Sequence, residues 1–270
     1  MEQWLILGVA MLATGLVAGV LAGLFGIGGG IVIVPVLETA LGFAGVDPAI
    51  RMHVAVGTSL ATIIPTSISS ARAHHKRQSV DVEIVKRWAI FVLIGALLGA
   101  WVASLVHSRV LAMVFASLAF LVAIKMLFLP ESRNLTEEVP RGPLVPVIPT
   151  AIGTFSSMMG IGGGTFSVMT LTLFNEPIHR AVGTAALFGL VISLPGMLGF
   201  AIAGWGDPRI PMGSLGYVSL IGFACIAPAT VLAAPLGAKI AHGISAKRLN
   251  MLFGVFLIIA SLRLAFRAFM

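Results

Sequence analysis

The chain has 270 residues, 58% of them apolar and only 10% charged, with 31 glycines, one cysteine and a formal net charge of +7. So few charges, against about 25% in a soluble domain, cannot cover the surface of a soluble protein this size, which excludes an ordinary cytosolic enzyme and a disordered chain. The basic residues fall in short gaps between long apolar runs, which excludes a nucleic-acid partner, and the lone Cys225 excludes a disulfide scaffold and a cysteine-based metal cluster.

Residues 5–25 form the first uncharged run long enough for a transmembrane helix, which takes about 20 apolar residues. The Glu2 flank and the lack of a small-residue cleavage site distinguish it from a cleaved signal peptide. It ends at Gly26-Ile27-Gly28-Gly29-Gly30, and the apolar stretch 31–41 that follows is too short to cross. Full-length runs come next at 54–71, 88–106 and 110–129, the last with a lone Lys125. A polar stretch, 130–143, leads into the second half. There the cluster Gly160-Ile161-Gly162-Gly163-Gly164 precedes another short apolar segment, 165–174. Each short segment is expected to follow a full-length run. Runs at 182–204, 210–238 and 249–262 complete the chain. None alternates as a barrel strand does, so they are helices.

The order is a tandem repeat. The GIGGG cluster recurs 134 residues on, and His53-Val54-Ala55-Val56-Gly57-Thr58 recurs 126 residues on as His179-Arg180-Ala181-Val182-Gly183-Thr184. Five elements per half bring the second half in from the opposite side of the membrane. A re-entrant pair at each cluster leaves that result unchanged. The expected fold is an all-α polytopic membrane protein of two inverted-topology repeats. Each repeat has a broken or short helix pair at its GIGGG motif plus three full transmembrane helices. Repeat 1 covers residues 1–129, the linker 130–143 and repeat 2 residues 144–270.

Charge gives the orientation. The loop 72–87 holds Arg72, Lys76, Arg77, Lys86 and Arg87 and is expected to be cytoplasmic. The linker 130–143 then lies inside as well, and both termini lie outside. On this assignment all five lysines are internal, while Arg51, Arg109, Arg209, Arg263 and Arg267 are external.

Three glycines together in a membrane helix are costly unless the backbone must bend or be approached closely. Each cluster ends one helix and starts another, whose first N–H groups have no partner within the helix and form an anion site. Inversion aims two such starts, near Ile31 and Thr165, at one central point. The candidate binding residues are therefore Gly26, Gly28, Gly29, Gly30 and Ile31 with Gly160, Gly162, Gly163, Gly164 and Thr165. The alternative is close helix packing at the glycines. Thr58, Ser59 and Thr184 carry hydroxyls that can donate to an oxyanion; their other fate is a bond back to the carbonyl four residues earlier. Ser67, Ser69, Ser70, Ser156, Ser157 and Ser193 are further candidates for the same path. His53 and His179, with Arg51 and Arg180 nearby, read as a vestibule or gate, or as interfacial anchors and caps. Inversion separates the two histidines, so no metal site is expected. Glu38 is the only carboxylate inside an apolar run, placed functionally or at the interface. Gly95 and Gly99 read as helix packing. Neither HExxH nor GxSxG occurs, and no βαβ unit surrounds the glycines, so neither an enzyme nor a cofactor is expected.

Residues 26–37, GIGGGIVIVPVL, and the VGTSL stretch at 56–60 resemble the sulfite exporter TauE/SafE family, whose signature near the start of each half is GxGGGxxxVPxL. The second copy, GIGGGTFSVMTL at 160–171, has Met169 where the first has Pro35. The resemblance covers essentially the whole chain. It implies a multi-pass protein of the bacterial plasma membrane that moves sulfite, sulfonates or related sulfur oxyanions, often outward. Its partners would be a small anionic substrate and the lipid bilayer. Export of an anion from a negative interior runs downhill without a coupling ion. The alternatives are an anion channel and an importer of a sulfonate or organic anion coupled to H+ or Na+. Homo-oligomerisation is open on the sequence alone.

Overall fold

The computed structural model describes residues 11–21, 29–76, 78–128, 146–241 and 246–269. The expected all-α architecture is found. The first half gives helices α1 (Met11–Leu21), α2 (Gly30–Phe43), α3 (Pro48–Lys76), α4 (Val82–Leu105) and α5 (Ser108–Phe128). The second gives α6 (Val147–Met159), α7 (Gly164–Leu173), α8 (Ile178–Ala203), α9 (Leu220–Ala241) and α10 (Ala246–Phe269). Among the described residues, α3, α4, α5, α8 and the 18 residues Met251–Ala268 of α10 are long and apolar enough to cross a membrane.

Two boundaries differ from expectation. The run at 210–238 does not begin as a helix: residues 210–219 are a loop with paired two-residue strands, β1 (Ser214–Leu215) and β2 (Val218–Ser219). Pro211, Gly213 and Gly216 impose turns there, the glycines at φ 75° and 55°. The helix before the second glycine cluster is not full length either. α6 has 13 residues, roughly 20 Å at 1.5 Å per residue, against about 30 Å of hydrocarbon.

The long helices α3 and α8 form the centre. They run antiparallel, with Gly57 against Phe200, Leu60 against Gly196, Ser67 against Gly189 and His74 against Gly183. α3 is the most buried of the spanning helices. By contrast, α4 and α6 run parallel, Gly95 and Gly99 lying on the carbonyls of Thr150 and Thr154. α1 and α9 pack in the same sense, Gly15 on Ile226 and Ala229, Gly19 on Thr230 and Ala233. A Cβ at any of these four glycines would overlap the neighbouring helix, so small residues set the approach. α5 packs along α10. On the outside, Ile90, Leu97, Trp101, Val255, Ile259 and Phe266 are exposed and apolar, as a lipid-facing surface requires.

Charged groups collect at the two ends of the central pair. At one end Glu38 binds Arg267 at 3.0 and 3.1 Å and lies 3.7 Å from Arg51. Arg51 also donates to Val46 O at 2.8 Å. At the other end Arg180 pairs with Asp81 and lies 3.8 Å from Glu176. Thus a carboxylate on or just beyond the short second helix of each half meets an arginine near the start of the next.

Candidate functional site

The second glycine cluster is a break that glycine makes without strain. Gly160, Gly162 and Gly163 have φ of 67°, 65° and 80°, in the left-handed region where a Cβ is strained. α6 is closed by Gly160 N–H on Ser157 O at 3.2 Å and Ile161 N–H on Ser156 O at 3.0 Å. α7 then starts behind Gly163, and no side chain caps it. In the first cluster Gly29 has φ 75° and stands before α2, again without a side-chain cap. Gly26 and Gly28 lie outside the described residues.

The two breaks meet. Gly30 sits on the backbone of the other cluster, where an added Cβ would overlap Gly160 O and stand 2.9 Å from Ile161 Cα. Gly160 in turn packs on Val34 and on the backbone of Val56. Ser59 Oγ donates to Gly160 O at 2.7 Å, tying α3 to the second break. The backbone of this region is therefore shared between both halves.

Around the second break five hydroxyls are buried and have no hydrogen-bond partner among the described residues: Ser156, Ser157, Thr165, Ser167 and Ser193. A buried hydroxyl left unpaired costs about 1–3 kcal/mol, so five together are a departure from ordinary packing. Ser157 Oγ is 2.8 Å from where a Cβ on Gly196 would stand, and Ser167 Oγ is 3.7 Å from that of Gly163. Ser193 shares a helix face with Gly189 and Gly196. Of the further candidates on α3, Ser67 is buried against Gly189, whereas Ser69 is exposed. Ser167 did not stand out in the sequence. Its signal was available, since it lies one helical turn after Gly163 on the first face of α7.

Thr58 and Thr184 have partners of a different kind. Thr58 Oγ1 accepts the N–H of Ser219 at 2.8 Å, and Thr184 Oγ1 accepts the N–H of Asp81 at 2.9 Å. Ser219 and Asp81 are themselves helix caps: Ser219 Oγ accepts Gly222 N–H at 3.1 Å, and Asp81 Oδ1 accepts Ile84 N–H at 3.0 Å. The preceding glycines admit the same loops. A Cβ on Gly57 would stand 2.5 Å from Tyr217 O, and one on Gly183 would overlap Ser79 O. Each Gly-Thr pair is thus a seat for the loop that starts the fourth helix of the opposite half. Neither threonine bonds back to its own helix.

The histidines diverge. His53 is buried at the first seat, its Nε2 on the carbonyls of Ala103 and Val106 at 2.9 and 3.2 Å and its ring 5.1 Å from that of Tyr217. It serves the C-terminal end of α4 as a cap. His179 and Arg180 are exposed at the other end. Over the first seat lies a loop cluster in which Arg209 donates to Asp207 at 2.7 and 2.9 Å and Tyr217 OH donates to it at 3.2 Å. Those bonds, Arg209's above all, hold the Asp207 carboxyl well below its usual range. Burial, with the Asp207 charge, pushes the Tyr217 phenol up. Among the described residues no group of three His, Cys, Asp or Glu side chains could hold a metal ion.

Known proteins match along nearly the full length. A probable membrane transporter protein of Haemophilus influenzae is 35% identical over 254 residues, covering 94% of this chain and 96% of its own. Probable membrane transporter proteins of Methanocaldococcus jannaschii and Bacillus subtilis are 27% and 25% identical, over 93% and 96% of this chain and 92% and 97% of theirs. No solved structure matches. The model of the sulfite exporter TauE/SafE family matches residues 11–264, so the chain belongs to that family of multi-pass membrane transporters.

Proposed function

We propose that this protein exports a small sulfur oxyanion, sulfite or a sulfonate, across the bacterial plasma membrane by alternating access at the meeting point of the two glycine breaks. One observation carries the reading: Gly30 abuts Gly160 beside five buried hydroxyls that have no partner. Hydroxyls and the uncapped N–H groups of α7 are donors, and an oxyanion supplies the acceptors they lack. The bonds are made only when the anion is present, so the cost of the orphaned hydroxyls is recovered on binding.

The helix directions support inverted repeats. α4 returns across the membrane after α3, and α6 runs parallel to α4 while α8 runs antiparallel to α3. α6 and α8 then share a direction, and with 13 and 10 residues α6 and α7 are short enough to form a re-entrant pair between them. Repeat 1 spans 1–129 and repeat 2 spans 144–270, with the loop 72–87 and the linker 130–143 cytoplasmic and both termini external.

The two Gly-Thr seats serve as gates. Both hydrogen bonds are made, Ser219 N–H to Thr58 and Asp81 N–H to Thr184, and on this reading they keep the two gates shut. Release of one seat opens the site to one face while the other stays shut. The arginines at the ends, Arg51 and Arg180, are paired with carboxylates and hold those ends together rather than contacting the anion. Outward movement is favoured by about 2.3 kcal/mol per charge per 100 mV of inside-negative potential, so no coupling ion is required. The test is efflux from liposomes containing the purified protein, over a panel of sulfur and carbon oxyanions. Saturable efflux of sulfite or a sulfonate, accelerated by the same anion on the far side, is expected. Failure of every sulfur oxyanion to move, or a flux that does not saturate, refutes the carrier.

A further inference from the structure

Resting on the reading that an anion sits at the glycine breaks, we infer that the site takes monoanions and rejects dianions of the same size. The donors around the second break are all neutral. They are the buried, unpartnered hydroxyls of Ser156, Ser157, Thr165, Ser167 and Ser193 and the first-turn N–H groups of α7, which no side chain caps. The segments that carry them are uncharged: the sequence has no ionisable residue in 3–37, 54–71, 142–175 or 181–206. Arg51 and Arg180 are held away at opposite ends by Glu38 and Asp81.

Charge decides selectivity in such a place. The cost of taking an ion out of water grows as the square of its charge, so a dianion costs about four times as much as a monoanion of equal radius. What the site returns grows only linearly with that charge, because its donors are fixed dipoles and about half a unit of positive charge at the helix start. A built-in arginine would neutralise the second charge; here nothing does. Sulfite gains one proton near neutrality, so the bound form is bisulfite, which carries its proton with it and gives it up to water after release.

The test is thermal melting of the purified full-length protein in detergent at constant ionic strength, titrated with methanesulfonate, sulfate and sulfite. Methanesulfonate and sulfate differ by a methyl group in place of one charged oxygen. Methanesulfonate is expected to raise the melting temperature saturably, with sulfate weaker by about tenfold or more. The apparent affinity for sulfite is expected to fall as pH rises through neutrality, while that for methanesulfonate stays level. Sulfate equal to methanesulfonate, or sulfite binding that strengthens with pH, overturns the monoanion inference and leaves the anion site standing. No response to any of the three overturns both.

Discussion

Thr58→Val and Thr184→Val separate a gate from a binding group. Valine keeps the shape of threonine and removes the hydroxyl. In Thr58→Val the N–H of Ser219, held at 2.8 Å, loses its acceptor, and Thr58 is fully buried, so no water replaces it. An orphaned buried N–H costs about 1–3 kcal/mol, or roughly 5- to 150-fold in the equilibrium for lifting the loop. The loop keeps its bond from Tyr217 N–H to Phe200 O at 3.2 Å, so it loosens rather than unfolds. Amide hydrogen exchange read by segment is the assay. Thr58→Val is expected to speed exchange across 204–219 and leave 78–81 unchanged; Thr184→Val is expected to do the reverse. If instead the hydroxyls serve the anion directly, both variants will weaken ligand-induced thermal shifts and neither loop will exchange faster. That result would refute the seat.

Ser167→Ala and Ser193→Ala remove hydroxyls that have no partner, so each variant should melt no lower than the parent. Each should nonetheless lose affinity for methanesulfonate, by about fivefold or more for one lost donor; a lower melting point with unchanged affinity would return these serines to packing. Gly30→Ala drives a methyl group into the Gly160 carbonyl and should lower stability by about 1–3 kcal/mol as overpacking does. Gly45→Ala, at φ 75° with open space around it, should cost less; equal melting losses would deny that the breaks are in contact. On a Cys225-free background, cysteine at Lys76 should resist an impermeant thiol reagent added to intact cells while cysteine at Pro208 reacts; the reverse would invert the orientation. Asp207 titrates below its usual range when folded, so its contribution is present above about pH 4 and is lost only in stronger acid. The melting difference between the parent and Asp207→Asn should therefore hold from neutrality to about pH 4 and then shrink, and a difference that vanishes nearer neutrality would contradict the ion pair.

Much of the frame was legible because it is periodic or repeated. The second GIGGG copy marks the break between α6 and α7 and the first marks the start of α2, while Gly95 and Gly99 are the packing residues the sequence suggests. Local glycine and proline chemistry would have placed a turn at 210–219, but apolar Ile210, Leu215, Val218 and Leu220 hid it inside a run. The partners of Thr58 and Thr184 were out of reach for another reason. They lie 161 and 103 residues away in sequence, and each is a backbone N–H, which every residue but proline carries. Gly163 was legible as a break, whereas its φ of 80° and contact with Ile192 were not; they make alanine there a strained residue rather than a helix-favouring one.

The repeat and the site obey different constraints. At the 134-residue spacing of the clusters, Thr165 and Ser167 stand where the first half has Ile31 and Ile33, and Ser156 and Ser157 where it has Ala22 and Gly23. Ile31 and Ile33 are fully buried. At the 126-residue spacing of the long helices, Ser193 answers to Ser67, so one hydroxyl is common to both halves. Duplication thus supplies two helix starts and two loop seats, while the unpartnered hydroxyls around the break all belong to the second half. A single small oxyanion has too few oxygens to satisfy two such sets. A second set would add several buried, unpaired hydroxyls at about 1–3 kcal/mol each, with no ligand to recover the cost. Buried apolar residues in the first half, Ile31 and Ile33, avoid that cost.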